Sequence, residues 1–286
     1  MPDARPPLSA SLAGLDGDPG DSLRRIAAMG YRAVQLPITA AGLRPRDLDG
    51  AIRRALRGTL RRMELALSGL DLWIPPGHFI DPMHADRAAT AVLAAIDLAA
   101  DLSEGAASMG ESATRGAGHG HAGRVAISLV LPQAPADRVG LKDLLEGVLA
   151  AADRQGIDLV DHALPVADAA MVASVACGGR WQVGVDVPAW IAAGTGDFAG
   201  PLIATSPRLA SVRLCDLSRS GMRVPIADRA SGASFHDSRL DAAALAAALS
   251  VAAPALIPVA DPRQWSDPWA GLAQTLSVWR RAIGAD

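Results

Sequence analysis

Six histidines and two cysteines are the scarce reactive side chains of this 286-residue chain, and their neighbours suggest what each can do. His162 follows Asp161 at the end of an apolar run. A histidine there is either an acid/base group or a residue held in place by a hydrogen bond. Asp186 follows Gly184 and Val185, and an aspartate just inside an apolar strand is costly unless paired. It either acts on a substrate or forms a structural salt bridge with Arg213, one strand away. Arg213 carries a permanent charge, suited to polarising a carbonyl or gripping a carboxylate or phosphate. His78, beside Trp73 and Phe79 in a proline-bearing loop, reads as a substrate contact, whereas His84 reads as part of a helix start capped by Asp81. Gln35, Asp216, Arg229 and His236 complete the candidate substrate contacts, although Asp216 equally suits the start of a loop. His119 and His121 fall in the low-complexity stretch 103–123, which reads as a mobile, solvent-exposed loop. Neither Cys177 nor Cys215 has a histidine beside it in sequence, which argues against a nucleophile, and two cysteines make no disulfide framework.

The elements that must position these residues alternate. Short apolar runs at 8–12, 33–36, 65–70, 125–131, 157–160, 182–187, 209–215 and 255–259 read as eight strands. Between and after them lie helical patterns, among them one starting at Gly20-Asp21-Ser22, with Asp21 or Ser22 as cap, and one over 46–62 with Leu48, Ile52, Leu56 and Leu60 at helical spacing. Further helices are expected at 85–102, 141–155, 166–177, 198–205, 241–252 and 269–283. Regular βα alternation implies a parallel sheet. Eight such units in 286 residues fit one closed (β/α)8 barrel over residues 1–286 better than an open sheet, and no Gly-x-Gly-x-x-Gly follows the first strand. Active sites of such barrels lie at the C-terminal strand ends, which is where His162, Asp186, Arg213 and Asp216 fall.

Composition limits the partners. The 27 basic and 30 acidic residues nearly balance, which argues against a nucleic-acid binder driven by phosphate neutralisation. The uncharged run 242–260 is mostly alanine and is broken by Pro254 and Pro258, so a helix and a buried strand explain it better than a membrane span. No basic, apolar leader opens the sequence, and the expected location is the cytoplasm. Trp269 and Trp279 on the last helix would pack on the barrel or on a second subunit of a homo-oligomer.

Several phrases resemble the xylose isomerase-like barrel family of sugar phosphate isomerases and epimerases: SLRRIAAMGYRAVQL (22–36), HFIDPMHADRAATAVLAAIDLAADL (78–102), GIDLVDH (156–162), VGVDVPAW (183–190), VRLCD (212–216) and SRLDAAALAAAL (238–249). Together they span nearly the whole chain. The resemblance implies a divalent metal held at the barrel mouth by a glutamate ending strand five, an Asp-x-x-His on strand six, a histidine on strand seven and a glutamate ending strand eight. Here those positions hold His162, Asp186 with Ala189 in place of the histidine, Arg213, and Pro258-Val259 with Asp261 beyond. Gln35 stands where a strand-two glutamate is common.

A hard cation prefers several charged oxygen ligands, and an arginine at a ligand position repels it. Either Arg213 replaces the metal as electrophile or anion clamp, or a reduced set of His162, Asp186 and Asp216 still holds one Mn, Zn or Mg ion. The implied activity is a sugar or sugar-phosphate isomerase or epimerase acting by proton transfer next to a carbonyl. In that scheme Asp186 or His162 is the acid/base pair and Arg213 the electrophile. The alternative is a non-catalytic relative that binds a small sugar-like ligand or a partner subunit. A DNA-repair endonuclease of the same superfamily would need a multi-metal set and a basic face, and the sequence offers neither.

Overall fold

The computed structural model describes residues 8–103, 125–132, 135–162, 181–194, 199–227 and 238–285, with backbone alone at 135–140, 142 and 143. The expected helix 166–177, the stretch 103–123 beyond its first residue, and Cys177, His119, His121, Arg229 and His236 lie outside the described residues.

Eight parallel strands close into a (β/α)8 barrel. These are β1 (Ser9–Ser11), β2 (Ala33–Pro37), β3 (Ala66–Asp71), β4 (Ala126–Leu129), β5 (Asp158–Asp161), β6 (Trp181–Asp186), β7 (Leu209–Leu214) and β10 (Val259–Ala260). The short strands β8 (Asp216–Leu217) and β9 (Arg223–Val224) form an antiparallel hairpin after β7, in a stretch whose sequence pattern reads as irregular. Strand β10 covers only the end of the 255–259 run expected for it, because Pro254 and Pro258 carry no N–H for a ladder.

Helices α1 (Pro19–Met29), α2 (Gly50–Arg62), α3 (Ala85–Ser103), α4 (Pro135–Gln155), α5 (Val187–Ala192), α6 (Ala199–Thr205), α7 (Ala242–Ala252) and α8 (Pro268–Ala282) are the helices among the described residues. Aspartates start several of them. Asp18, not Asp21 or Ser22, caps α1, because Pro19 already sets helical φ at the first position and shifts the start upstream. The expected single helix over 46–62 is divided. Pro45–Asp47 makes one 3-10 turn, and Asp49 then caps α2 by accepting from the N–H groups of Ala51 and Ile52, both at 2.8 Å. Asp241 and Asp267 do the same for α7 and α8.

The core lies between sheet and helices. Val92, Ile96 and Ala99 of α3, Leu23 and Ile26 of α1, and Leu272 and Trp279 of α8 are buried in it. Trp279 therefore packs on the barrel, and the half-buried Trp269 packs against the same core, with the Arg25 guanidinium 4.1 Å above its ring. The Tyr31 hydroxyl donates to the Leu272 carbonyl at 2.8 Å, joining the first βα unit to the last helix.

The barrel's inner face is small and polar. The register pairs Gln35–Gly69, Asp71–Ser128, Ser128–Val160, Val160–Gln182, Gly184–Ser211 and Asp186–Arg213 trace one continuous face around the sheet. Many barrels fill this space with branched apolar side chains. Here the small residues leave room for long charged ones. Two irregularities adjust the aim: one between Val34 and Gln35, the other between Val183 and Gly184. Each lies just before a residue of this inner face, Gln35 and Gly184.

Candidate active site at the barrel mouth

The mouth is built from charged side chains at the strand ends. Asp71 ends β3, and its Oδ1 accepts from Arg213 Nη2 of β7 at 2.6 Å. Asp71 Oδ2 accepts from Arg263 Nη1 at 3.0 Å. Arg263 grips Asp261 bidentately, Nε to Oδ1 at 2.9 Å and Nη2 to Oδ2 at 2.6 Å. Arg223 of β9 reaches Asp261 Oδ2 at 3.3 Å through Nη1 and binds Asp186 Oδ2 through Nη2. The result is an alternating ladder, Arg213–Asp71–Arg263–Asp261–Arg223–Asp186. The salt bridge expected between Asp186 and Arg213 is therefore replaced. The two are register neighbours, but Arg213 extends across the barrel to Asp71, while the β8–β9 hairpin delivers Arg223 to Asp186.

Burial makes this ladder electrostatically strong. Hydrogen bonds from Arg263 and the charges of Arg263, Arg213 and Arg223 hold the Asp261 carboxyl below the usual range, although burial, the largest single influence, pushes the other way. The pKa values of Arg223 and Arg263 are raised: burial disfavours their charge, but Asp186 and Asp261 more than reverse it. Burial pushes the Cys215 thiol well above its ordinary range, with the nearby Arg223 opposing, so Cys215 is an inert thiol at neutral pH.

His162 sits just past β5 with its ring flat against Gly184. A Cβ at Gly184 would lie 2.5 Å from three ring atoms, so only glycine leaves space for the imidazole. His162 Nε2 is 3.1 Å from Ser128 Oγ, and that hydroxyl oxygen accepts from Gln35 Nε2 at 3.3 Å. Burial lowers the His162 pKa well below 6.5, and the charges of Arg213, Arg263 and Arg223 lower it further, with the Val185 backbone opposing weakly. The ring is neutral at physiological pH. Three buried side-chain atoms at the ends of the adjacent strands β5, β6 and β7 have no hydrogen-bond partner among the described residues: His162 Nδ1, Asp186 Oδ1 and Arg213 Nε.

The other sequence candidates are placed differently. Gln35 faces the interior behind Ser128. Asp216 is a loop anchor. Its Oδ1 accepts from the N–H groups of Leu217, Arg239 and Leu240 and its Oδ2 from the Ser238 hydroxyl at 2.6 Å, so the segment after 237 is pinned to β8. His78 lies in the loop after β3, stacked on His84 at 4.4 Å between ring centroids. His84 Nδ1 pairs with Asp81 Oδ2 at 2.6 Å. Asp71 and Arg223 were not among the sequence candidates. Asp71 closes an apolar strand as Asp186 does, which was its one visible signal. Arg223 had none, because only the hairpin folds it back over the mouth.

The described residues of the mouth do not suit a divalent cation. His162, Asp186 and Asp216 are not brought together, and among the described residues no three His, Cys, Asp or Glu side chains converge to hold a metal ion. Asp71, Asp186 and Asp261 each already bind an arginine, and the ladder's three positive and three negative charges cancel. Also among the described residues, no helix is long and apolar enough to cross a membrane.

No protein-family model and no curated protein matches the sequence. Solved structures do match in shape. D-psicose 3-epimerase from Clostridium cellulolyticum H10, crystallised with D-tagatose, superposes with a TM-score of 0.71 at 11% identity, over 97% of this chain and 99% of that one. A sugar phosphate isomerase/epimerase from Parabacteroides distasonis superposes at 0.64 and 11% identity, over 99% of this chain and 97% of that one. A xylose isomerase-like TIM barrel protein from Mycobacterium smegmatis, in complex with magnesium, gives 0.64 at 14% identity, over 97% and 96%. The eight-stranded barrel and these full-length superpositions together give this chain the fold of the xylose isomerase-like TIM barrels.

Proposed function

We propose that the barrel mouth binds a small sugar-like carbonyl compound and moves a proton next to its carbonyl, as a sugar isomerase or epimerase without a metal at the ladder. The observation that carries this reading is a trio of buried atoms on neighbouring strand ends that have no partner among the described residues: His162 Nδ1, Asp186 Oδ1 and Arg213 Nε. Buried polar atoms are nearly always satisfied, so a polar ligand is the natural partner. Asp186 Oδ1 takes the proton from the carbon beside the carbonyl. The C–H electron pair becomes the C=C bond, and the carbonyl π pair moves onto oxygen, where Arg213 stabilises it. Return of the proton from Asp186 to the former carbonyl carbon, with the hydroxyl proton of the neighbouring carbon passing to the oxyanion, gives an isomer; delivery of a proton from water to the opposite face of the enediolate, with Asp186 releasing its own to solvent, gives an epimer. The neutral His162 serves the oxygen. Similarity in fold to the D-psicose 3-epimerase supports the substrate class but does not by itself fix a function.

The test is proton exchange. The protein is incubated in D2O with ketopentoses, ketohexoses and their phosphates, and NMR follows loss of the C–H signal beside the carbonyl. Exchange that disappears in Asp186→Asn supports the reading; no exchange with any compound sinks it.

A second reading is a non-catalytic barrel that binds a sugar-like ligand. The near-complete burial of Arg213, Asp71 and Asp261 in ion pairs favours it, because charges engaged with one another are less free to respond to a transition state. A ligand that raises the melting temperature without proton exchange would support this second reading.

A further inference from the structure

The hydrogen bonds around His162 specify more than its charge. Ser128 Oγ has two polar neighbours, the amide nitrogen of Gln35 at 3.3 Å and His162 Nε2 at 3.1 Å. An amide nitrogen only donates, so Gln35 supplies a proton to Oγ and takes none. The Ser128 hydroxyl must direct its own hydrogen to an acceptor, and His162 Nε2 is the one in reach among the described residues. An acceptor nitrogen carries no proton. The neutral ring must therefore hold its single proton on Nδ1, the buried atom that has no partner.

We infer that Gln35 and Ser128 fix His162 as its Nδ1–H tautomer, so that this ring is a neutral hydrogen-bond donor toward the ligand and not the base of the reaction. The relay runs in one direction, from Gln35 N–H to Ser128 O–H to His162 Nε2. Three strands of the inner face supply it: β2, β4 on the far side of β3, and β5, which His162 follows. Gly184 completes it by letting the ring lie flat against β6. A ligand carbonyl oxygen would then receive hydrogen bonds from His162 Nδ1–H and Arg213 Nε–H, two donors on flanking strands, while Asp186 Oδ1 remains the acceptor for the carbon-bound proton. A neutral imidazole suits this role because it polarises a carbonyl without donating a full proton to it. Gln35 and Ser128 are positioning residues. The ligand contact rests on the reading above, but the tautomer does not.

The experiment is imidazole nitrogen-15 NMR of the folded full chain at neutral pH, with the His162 signals assigned by their loss in His162→Gln. The expected result is a protonated, pyrrole-type Nδ1 and an unprotonated, pyridine-type Nε2. Protonation on Nε2, or an imidazolium, overturns the inference on the wild-type protein alone, whether or not any variant folds. Ser128→Ala should dilute or invert the Nδ1–H signature, and Ser128→Thr, which keeps the hydroxyl, should restore it. An unchanged signature in Ser128→Ala overturns the relay. The Nδ1–H tautomer in a protein that exchanges no sugar proton would sink the isomerase reading and still support the tautomer.

Discussion

Arg213 on β7 and Asp71 on β3 bond across the full width of the barrel, with three strands between them on either side. The two side chains are 5% and 3% exposed and lie 2.6 Å apart. Removing one member leaves the other buried and uncompensated. Arg213→Met or Asp71→Leu alone should each destabilise the fold by about 3–5 kcal/mol, whereas the double variant should lose less than the sum. Urea denaturation of all four proteins measures the coupling. Additive losses would mean the pair contributes nothing as a pair, although Arg263 bonds to the same aspartate and will share the effect.

The buried imidazole makes stability depend on pH in a known direction. The folded-state pKa of His162 lies well below its ordinary 6.5, so between the two values the unfolded chain binds more protons than the native one. Stability is therefore full above about pH 6.5 and falls as pH drops below it. Asp261, held below 3.8, adds a second loss only at lower pH, where the unfolded carboxyl is protonated while the folded one is still charged. His162→Gln should flatten the slope between about pH 6.5 and the onset of carboxylate titration, read from denaturation midpoints at several pH values. A slope unchanged in that variant would show that another group carries it.

Gly184 and His162 are matched in shape. Gly184→Ala places a methyl group 2.5 Å from the imidazole, and the ring must move or the strand must shift. Overpacking of this kind costs about 1–3 kcal/mol. His162→Ala in the Gly184→Ala background should recover part of that loss, because the methyl then fills space the ring vacates. If the double variant is no more stable than Gly184→Ala, the clash is not with His162.

Charge balance at the mouth predicts indifference to divalent cations. An ion bound to the native state at about 100 times its Kd would add about 2.7 kcal/mol of stability. We expect no such rise in melting temperature when Mn, Mg or Zn is added to chelator-treated protein. A stoichiometric ion that is lost in Asp186→Ala would overturn the expectation.

Much of the architecture was legible along the chain. Apolar runs alternating with helical patterns announced eight βα units, because a parallel strand pair needs a crossover and the crossover here is helical. Errors were local. Asp18 sets the start that the cap candidates Asp21 and Ser22 placed downstream, and Asp49 the one that apolar spacing placed at 46, since a proline or an aspartate at the boundary outweighs both.

For the site, sequence by itself determined that His162, Asp186 and Arg213 stand at strand ends on one side of the sheet, because strand position and period decide that much. Only the tertiary structure decided the partners. Asp71 meets Arg213 from a strand 142 residues away in sequence, and Arg223 meets Asp186 through a hairpin with no strong local pattern. A salt bridge is chosen by distance in space and by the reach of a long side chain, and neither is written in the spacing of the residues that form it. The space beside Gly184 belongs to the same class: a missing Cβ becomes a seat for His162 only when β5 and β6 lie side by side.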